Sequence, residues 1–163
     1  MKKPLIALVF FLFWGGCTLT IFGLTKVIGK EQTEINRTDV FSVIKDSYEA
    51  QYSIRDKNMS SQKIYDYLSP YFTNNFVQVF LDENNDGAKN SSNHLFTRKP
   101  PLTFTKDTKL VYDEIHNILY VYEKKDKSYE IIELQKENSY WKQAGYHSSS
   151  TLLTEIQNLE NEN

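Results

Sequence analysis

Hydrophobic positions follow two regimes along this chain. From Leu5 to Leu24 they run almost unbroken, with no charge between Lys3 and Lys26, whereas beyond Lys30 they recur at intervals among polar residues. The unbroken run predicts a membrane segment. Pro4 to Thr25 is 22 residues, and at about 1.5 Å of rise per residue a helix of that length spans about 33 Å, close to the hydrocarbon thickness of a bilayer. Residues 1–30 are therefore read as an N-terminal anchor, 31–37 as a polar tether and 38–163 as a folded extracytoplasmic domain.

Within that domain the spacing first fits helices. Val40, Phe41, Ile44, Tyr48 and Tyr52 recur at helical intervals behind Thr38 or Asp39 as the cap, and this first helix should reach about Asp56. Ser60 or Ser61 opens a shorter helix carrying Ile64 and Leu68. Ser69-Pro70 reads as the cap and first residue of a third helix, whose Phe72, Phe76 and Phe80, with Val79 beside them, form an apolar stripe expected in the core. From Asp82 to Lys99 the chain reads as a long polar loop, closed by Pro100-Pro101. Extended segments follow: Leu102 to Thr105, Leu110 to Tyr112, Ile118 to Tyr122, Tyr129 to Leu134 and Tyr140 to Tyr146, rich in β-branched and aromatic residues and joined by short turns. Short connections imply an antiparallel meander. Ser150 to Glu160 places Leu152, Leu153, Ile156 and Leu159 on one face of a closing helix. The expected fold is α+β: a transmembrane helix, about three helices packed on an antiparallel sheet, and a short C-terminal helix.

Composition narrows this picture. The first thirty residues hold four basic residues and no acid, which leaves 15 Lys and Arg against 21 Asp and Glu in residues 31–163, a net of −6. Such a balance argues against nucleic acid or an anionic lipid surface as the main partner, since both reward basic patches. The single cysteine, Cys17, excludes disulfides within the domain, so its stability must come from packing. All 11 tyrosines and six of the ten phenylalanines fall after residue 30 and supply that packing.

The start of the anchor is shared by three readings, and its end discriminates among them. A cleaved signal peptide needs small residues of the Ala-x-Ala kind after a shorter apolar core, and no such site stands here. Gly15-Gly16-Cys17 resembles the end of a bacterial lipobox, which would make Cys17 a lipidation site, but Trp14 replaces the usual aliphatic and the chain stays apolar after Cys17. An uncleaved signal-anchor is the preferred reading, with the C-terminal domain outside the cell membrane. Lys2 and Lys3 favour that orientation, and Lys26 and Lys30 dilute the bias.

The order of elements from Val40 to Tyr146, with Ser69-Pro70-Tyr71-Phe72-Thr73 and a strand at Asn138-Ser139-Tyr140-Trp141-Lys142, resembles the small NTF2-like domains of extracytoplasmic bacterial proteins. It is also similar to an uncharacterised family of small membrane-anchored proteins in spore-forming Gram-positive bacteria. The NTF2-like resemblance implies a curved sheet and helices enclosing a cone that can hold a ligand or a His/Asp pair, and no such pair can be matched in this sequence.

One local pattern suggests metal chemistry. Asp82, Asn84 and Asp86, followed by Gly87, place oxygens at positions 1, 3 and 5 with glycine at 6, the way a calcium loop wraps a hard cation. Asn93 stands where the bidentate glutamate of such a loop belongs, and an Asn/Asp/Gly turn cluster is the competing reading. His94, His116 and His147 are scattered. His147-Ser148-Ser149-Ser150 invites a base-and-nucleophile reading, but neighbours on an extended chain do not aim at one another. With no catalytic set and no cofactor signature, the preferred function is a non-enzymatic, membrane-tethered domain that binds a protein or cell-envelope ligand at the membrane surface. Two alternatives stay open: a small-ligand receptor or enzyme using an NTF2-like pocket, for which Asp113, Glu123, Glu133 and Lys142 would have to point inward, and a calcium-responsive lipoprotein.

Overall fold

Among the described residues four helices and four strands form, in the expected order but without the expected first strand at 102–105, and with boundaries set by contacts distant in sequence. The computed structural model describes residues 35–55, 57–85 and 97–162. The anchor, Cys17, most of the tether, Asp86 and His94 lie outside them. Among the described residues no helix is long and apolar enough to cross a membrane.

Helix α1, Arg37–Ile54, is capped by Asn36 rather than by Thr38 or Asp39. The Asn36 Oδ1 accepts from the backbone N–H groups of Thr38 (2.9 Å) and Asp39 (3.4 Å), which leaves Asp39 in the first turn, where the helix dipole favours an acid. Helix α2, Ser61–Leu68, starts as expected from Ser60, whose side chain accepts from Lys63 N. Helix α3, Asn74–Asn85, departs at both ends from the expectation. Ser69 ends α2 instead of opening α3, and residues 71–73 form a short parallel bridge to the fourth strand: Thr73 N donates to Gln143 O at 3.0 Å and Gln143 N to Tyr71 O at 2.9 Å. This long-range pairing holds the backbone out of the helix until Thr73, whose hydroxyl then accepts from Phe76 N. At its other end α3 carries Asp82 to Asn85 in helical backbone that the sequence assigns to loop.

The sheet is a meander in the order β1 (Lys109–Asp113), β2 (Ile118–Lys124), β3 (Tyr129–Glu137) and β4 (Tyr140–Ser149), antiparallel throughout. Asn138 and Ser139 form a two-residue turn, both with positive φ (52° and 70°), as a primed hairpin turn requires. A bulge at Glu133/Leu134 shifts the β3–β4 register. Leu102–Thr105 does not form a strand: Phe104 is left-handed (φ 57°), and the N–H groups of Thr103 and Phe104 bind a side chain rather than a neighbouring strand.

Alternation along the strands divides the core. On one sheet face Leu119, Val121, Ile132 and Leu134 pack against Val40, Ile44 and Tyr48 of α1, with Phe104, Tyr112, Trp141 and Tyr146 at the margin. On the other, Tyr120, Tyr122 and Ile131 pack against Ile156 of α4, Thr154–Glu162. A third cluster joins Ala50 and Ile54 to Leu68, Phe72, Val77, Phe80 and Leu81, with Phe76 packed against it. Phe72 of the bridge segment and Phe76 and Phe80 of α3 thus pack in the core as expected, whereas Val79 is 55% exposed.

Candidate functional site

Strand register decides which reactive side chains can meet. On the α1 face Glu123 and Glu130 are cross-strand partners at the end of the sheet nearest the β2–β3 turn. Such a pair suits acid–base chemistry when one member holds its proton at neutral pH. Here both are held as anions. The Glu123 carboxylate accepts from Thr103 N, Thr103 Oγ1, Phe104 N and Thr108 Oγ1 (2.6 Å), and pairs with Lys125 Nζ at 3.2 Å. Burial alone would raise its pKa, but the hydrogen bonds from Thr108, Thr103 and Phe104 outweigh it and bring the group down to about 2. Glu130 accepts from Tyr146 Oη (2.5 Å), Ser128 Oγ and Ser148 Oγ. Burial again opposes and these hydroxyls prevail, so its pKa is lowered. Burial first, and Glu130 second, push the Tyr146 phenol up to about 12.

The opposite face holds two histidine–carboxylate pairs. His116 Nδ1 sits 2.7 Å from Asp113 Oδ2, while Asp113 Oδ1 accepts from the N–H groups of Ile115 and His116, so this buried carboxylate folds the β1–β2 turn. Asp113 is pushed up by burial and, more strongly in sum, down by His116 and the turn amides. His147 Nε2 lies 3.0 Å from Glu133 Oε1. Glu133 lies flat over Gly145: a Cβ there would approach its Oε2 to 2.8 Å, which explains a glycine inside a strand. Burial, and then the negative charge of Glu133, raise Tyr120 to about 12. His147 and Ser148 emerge on opposite faces, as alternation requires, and Ser148 serves Glu130.

Asp113, Glu123, Glu133 and Lys142 do not converge. The first and third lie on the α4 face, Glu123 lies on the α1 face, and Lys142 pairs with Glu137 at 3.1 Å. Asp82 is exposed in α3 and accepts from Gln78 Nε2 at 3.0 Å. Asn84 lies in the helical backbone of α3, and Asp86 falls outside the described residues. Among the described residues no group of three or more His, Cys, Asp and Glu side chains is placed to hold a metal.

Three features escaped the sequence reading. Between α1 and β4 lies a buried polar seam: Ser47 Oγ donates to Ile44 O and Gln143 Oε1 (2.6 Å), while both amide atoms of Gln51 and the Nε2 of Gln143 have no partner among the described residues. A cleft of about 440 Å³ opens between the β2–β3 turn and the β4–α4 connection, lined in part by Lys124, Asp126, Lys127, Ser128, Ser150 and Thr151. At the far end of the sheet Ile115 is 88% and Tyr140 73% exposed. Only the last had a legible signal, since each stands in or next to a short hairpin turn among polar neighbours.

These features define an α+β domain, with a four-stranded antiparallel meander and saturated, dispersed ionisable groups. The chain belongs to a protein family of unknown function, DUF3993, whose profile matches residues 36–125 and so covers α1 through β2. No curated protein and no solved structure matches it.

Proposed function

We propose that this chain is a single-pass membrane protein whose C-terminal domain stands outside the cytoplasm and binds a protein or envelope ligand without catalysing a reaction. The uncharged run from Leu5 to Leu24 supports the anchor. The observation that carries the binding role is the exposure of Ile115 and Tyr140 at one end of the sheet, opposite the end where the chain enters α1. Large apolar side chains held in water on rigid hairpins are characteristic of contact surfaces. The state of the carboxylates supports a non-enzymatic role: a general acid must hold a proton near neutral pH, and Glu123 and Glu130 are held well below that range. The succession of helices and then an antiparallel meander supports an NTF2-like relationship, and a Gram-positive, spore-forming host fits a disulfide-free domain on the outer side of a membrane.

Topology is the first test. A full chain carrying a C-terminal epitope should stay in the membrane pellet through alkaline carbonate and lose the epitope to protease added outside intact cells. Extraction by carbonate, or an epitope protected until lysis, contradicts the proposal.

A further inference from the structure

We infer that the cleft between the β2–β3 turn and the β4–α4 connection is a binding site for a neutral sugar, one or two rings of an oligosaccharide. It stands at the other end of the sheet from Ile115 and Tyr140 and is independent of the contact role proposed for them. Two connections distant in sequence form it. Tyr129 pairs across the sheet with both Lys124 and Ser149, so the turn after β2 and the end of β4 meet beside it. Of the lining, Tyr129 and Leu152 are half-buried, whereas Asp126, Lys127, Ser150 and Thr151 are polar and exposed. The volume of about 440 Å³ lies within the range of small-molecule sites.

The chemistry of these groups selects the ligand. The amines of Lys124 and Lys127 stand with the Asp126 carboxylate, and Glu130 takes up the hydroxyl of Ser128 at the same place, so the cleft offers no net charge to an ion. What it offers is an aromatic ring among uncommitted donors and acceptors. Among the described residues the Asp126 carboxylate, the Lys127 amine and the hydroxyls of Tyr129, Ser150 and Thr151 make no hydrogen bond or ion pair. The carboxylates of Glu123 and Glu130, by contrast, are saturated. A sugar ring has an apolar C–H face and a rim of hydroxyls that each donate and accept, so it calls for an aromatic face beside groups of both kinds. Tyr129 is held in place for that role. Its ring leans on Tyr122, with centroids 6.4 Å apart, and Lys124 Nζ stands 5.8 Å from its centroid, within reach of a hydroxyl laid on the ring.

The test uses the full chain in a phosphocholine-headed detergent, because sugar-headed detergents would compete. Backbone amide NMR shifts are followed as maltose, cellobiose or N,N′-diacetylchitobiose is added to millimolar concentration. At least one of the three should give saturating shifts confined to residues 124–129 and 150–157, unchanged in molar salt because the ligand carries no charge. Tyr129→Leu should weaken that binding about tenfold, and so should the exposed pair Asp126→Ala with Thr151→Val, which leaves the core untouched. Lys63→Gln, on the exposed face of α2, should leave it unchanged. No saturating shift with any of the three sugars overturns the proposal, and so does binding that survives both sets of substitutions. Shifts at the cleft elicited by glycylglycine or inorganic phosphate but by none of the sugars assign it to an ion and overturn the proposal as well.

Discussion

Glu123 carries more of the local structure than any other single side chain in the domain. Its carboxylate replaces a strand partner for residues 103 and 104, fixes Thr108 at the entry to β1, and pairs with Lys125 across the turn. Because its pKa falls from 4.5 to about 2 on folding, it contributes stability that is full above the unfolded value and is lost as pH falls from about 4.5 toward 2. Glu130 and Asp113, also lowered, act in the same direction. Glu123→Gln should lower stability at pH 7 by about 2–3 kcal/mol, since an amide cannot accept from all these donors. Its stability should also fall less steeply than that of the parent chain between pH 4.5 and 3. Urea unfolding at pH 7, 4 and 3 measures both, and parallel slopes would show that the clamp does not titrate. None of this was legible in the sequence. Glu123 stands in an alternating strand like Glu130 or Glu133, and its donors arrive from a segment whose composition reads as a strand.

At the scale of elements, helical and strand spacing identified α1, α2, β1 to β4 and α4, because each presents an apolar face to a neighbour. What spacing did not reveal was where backbone groups find distant partners. The start of α3 is set by Gln143, some seventy residues later, through its bridge to residues 71–73. Gln143 also receives Ser47 of α1. The junction of α1, the 71–73 segment and β4 is thus built around buried amides, and Gln51, fully buried on α1, has neither amide atom paired among the described residues. An unpaired buried amide costs about 1–3 kcal/mol. Gln51→Met, which keeps the volume and removes the polar atoms, is therefore expected to raise stability by about 1 kcal/mol. Thermal or urea unfolding decides the matter, and a loss of stability would mean that the amide has a partner in solution.

For the whole molecule, the two ends of the sheet differ in chemistry. One gathers charged groups of both signs, Arg37 and the lysines of the β2–β3 turn with Glu123, Glu130 and Asp126, and the cleft beside α4. The other presents Ile115 and Tyr140, with Tyr112 and Trp141 edge to face behind them at 5.8 Å. In the sequence the α+β order could be read, since it is a pattern of neighbouring residues. The polarity of the domain could not, because it depends on strand register and on which turns share an end. This division of ends is the basis for the proposed ligand capture at Ile115 and Tyr140. In-cell photocrosslinking of the full chain, with the crosslinker placed at position 115, 140 or 63, tests that division most directly. A specific partner captured from 115 and 140 and not from 63 is the predicted result. Capture that is absent from 115 and 140, or equal from all three positions, would contradict it.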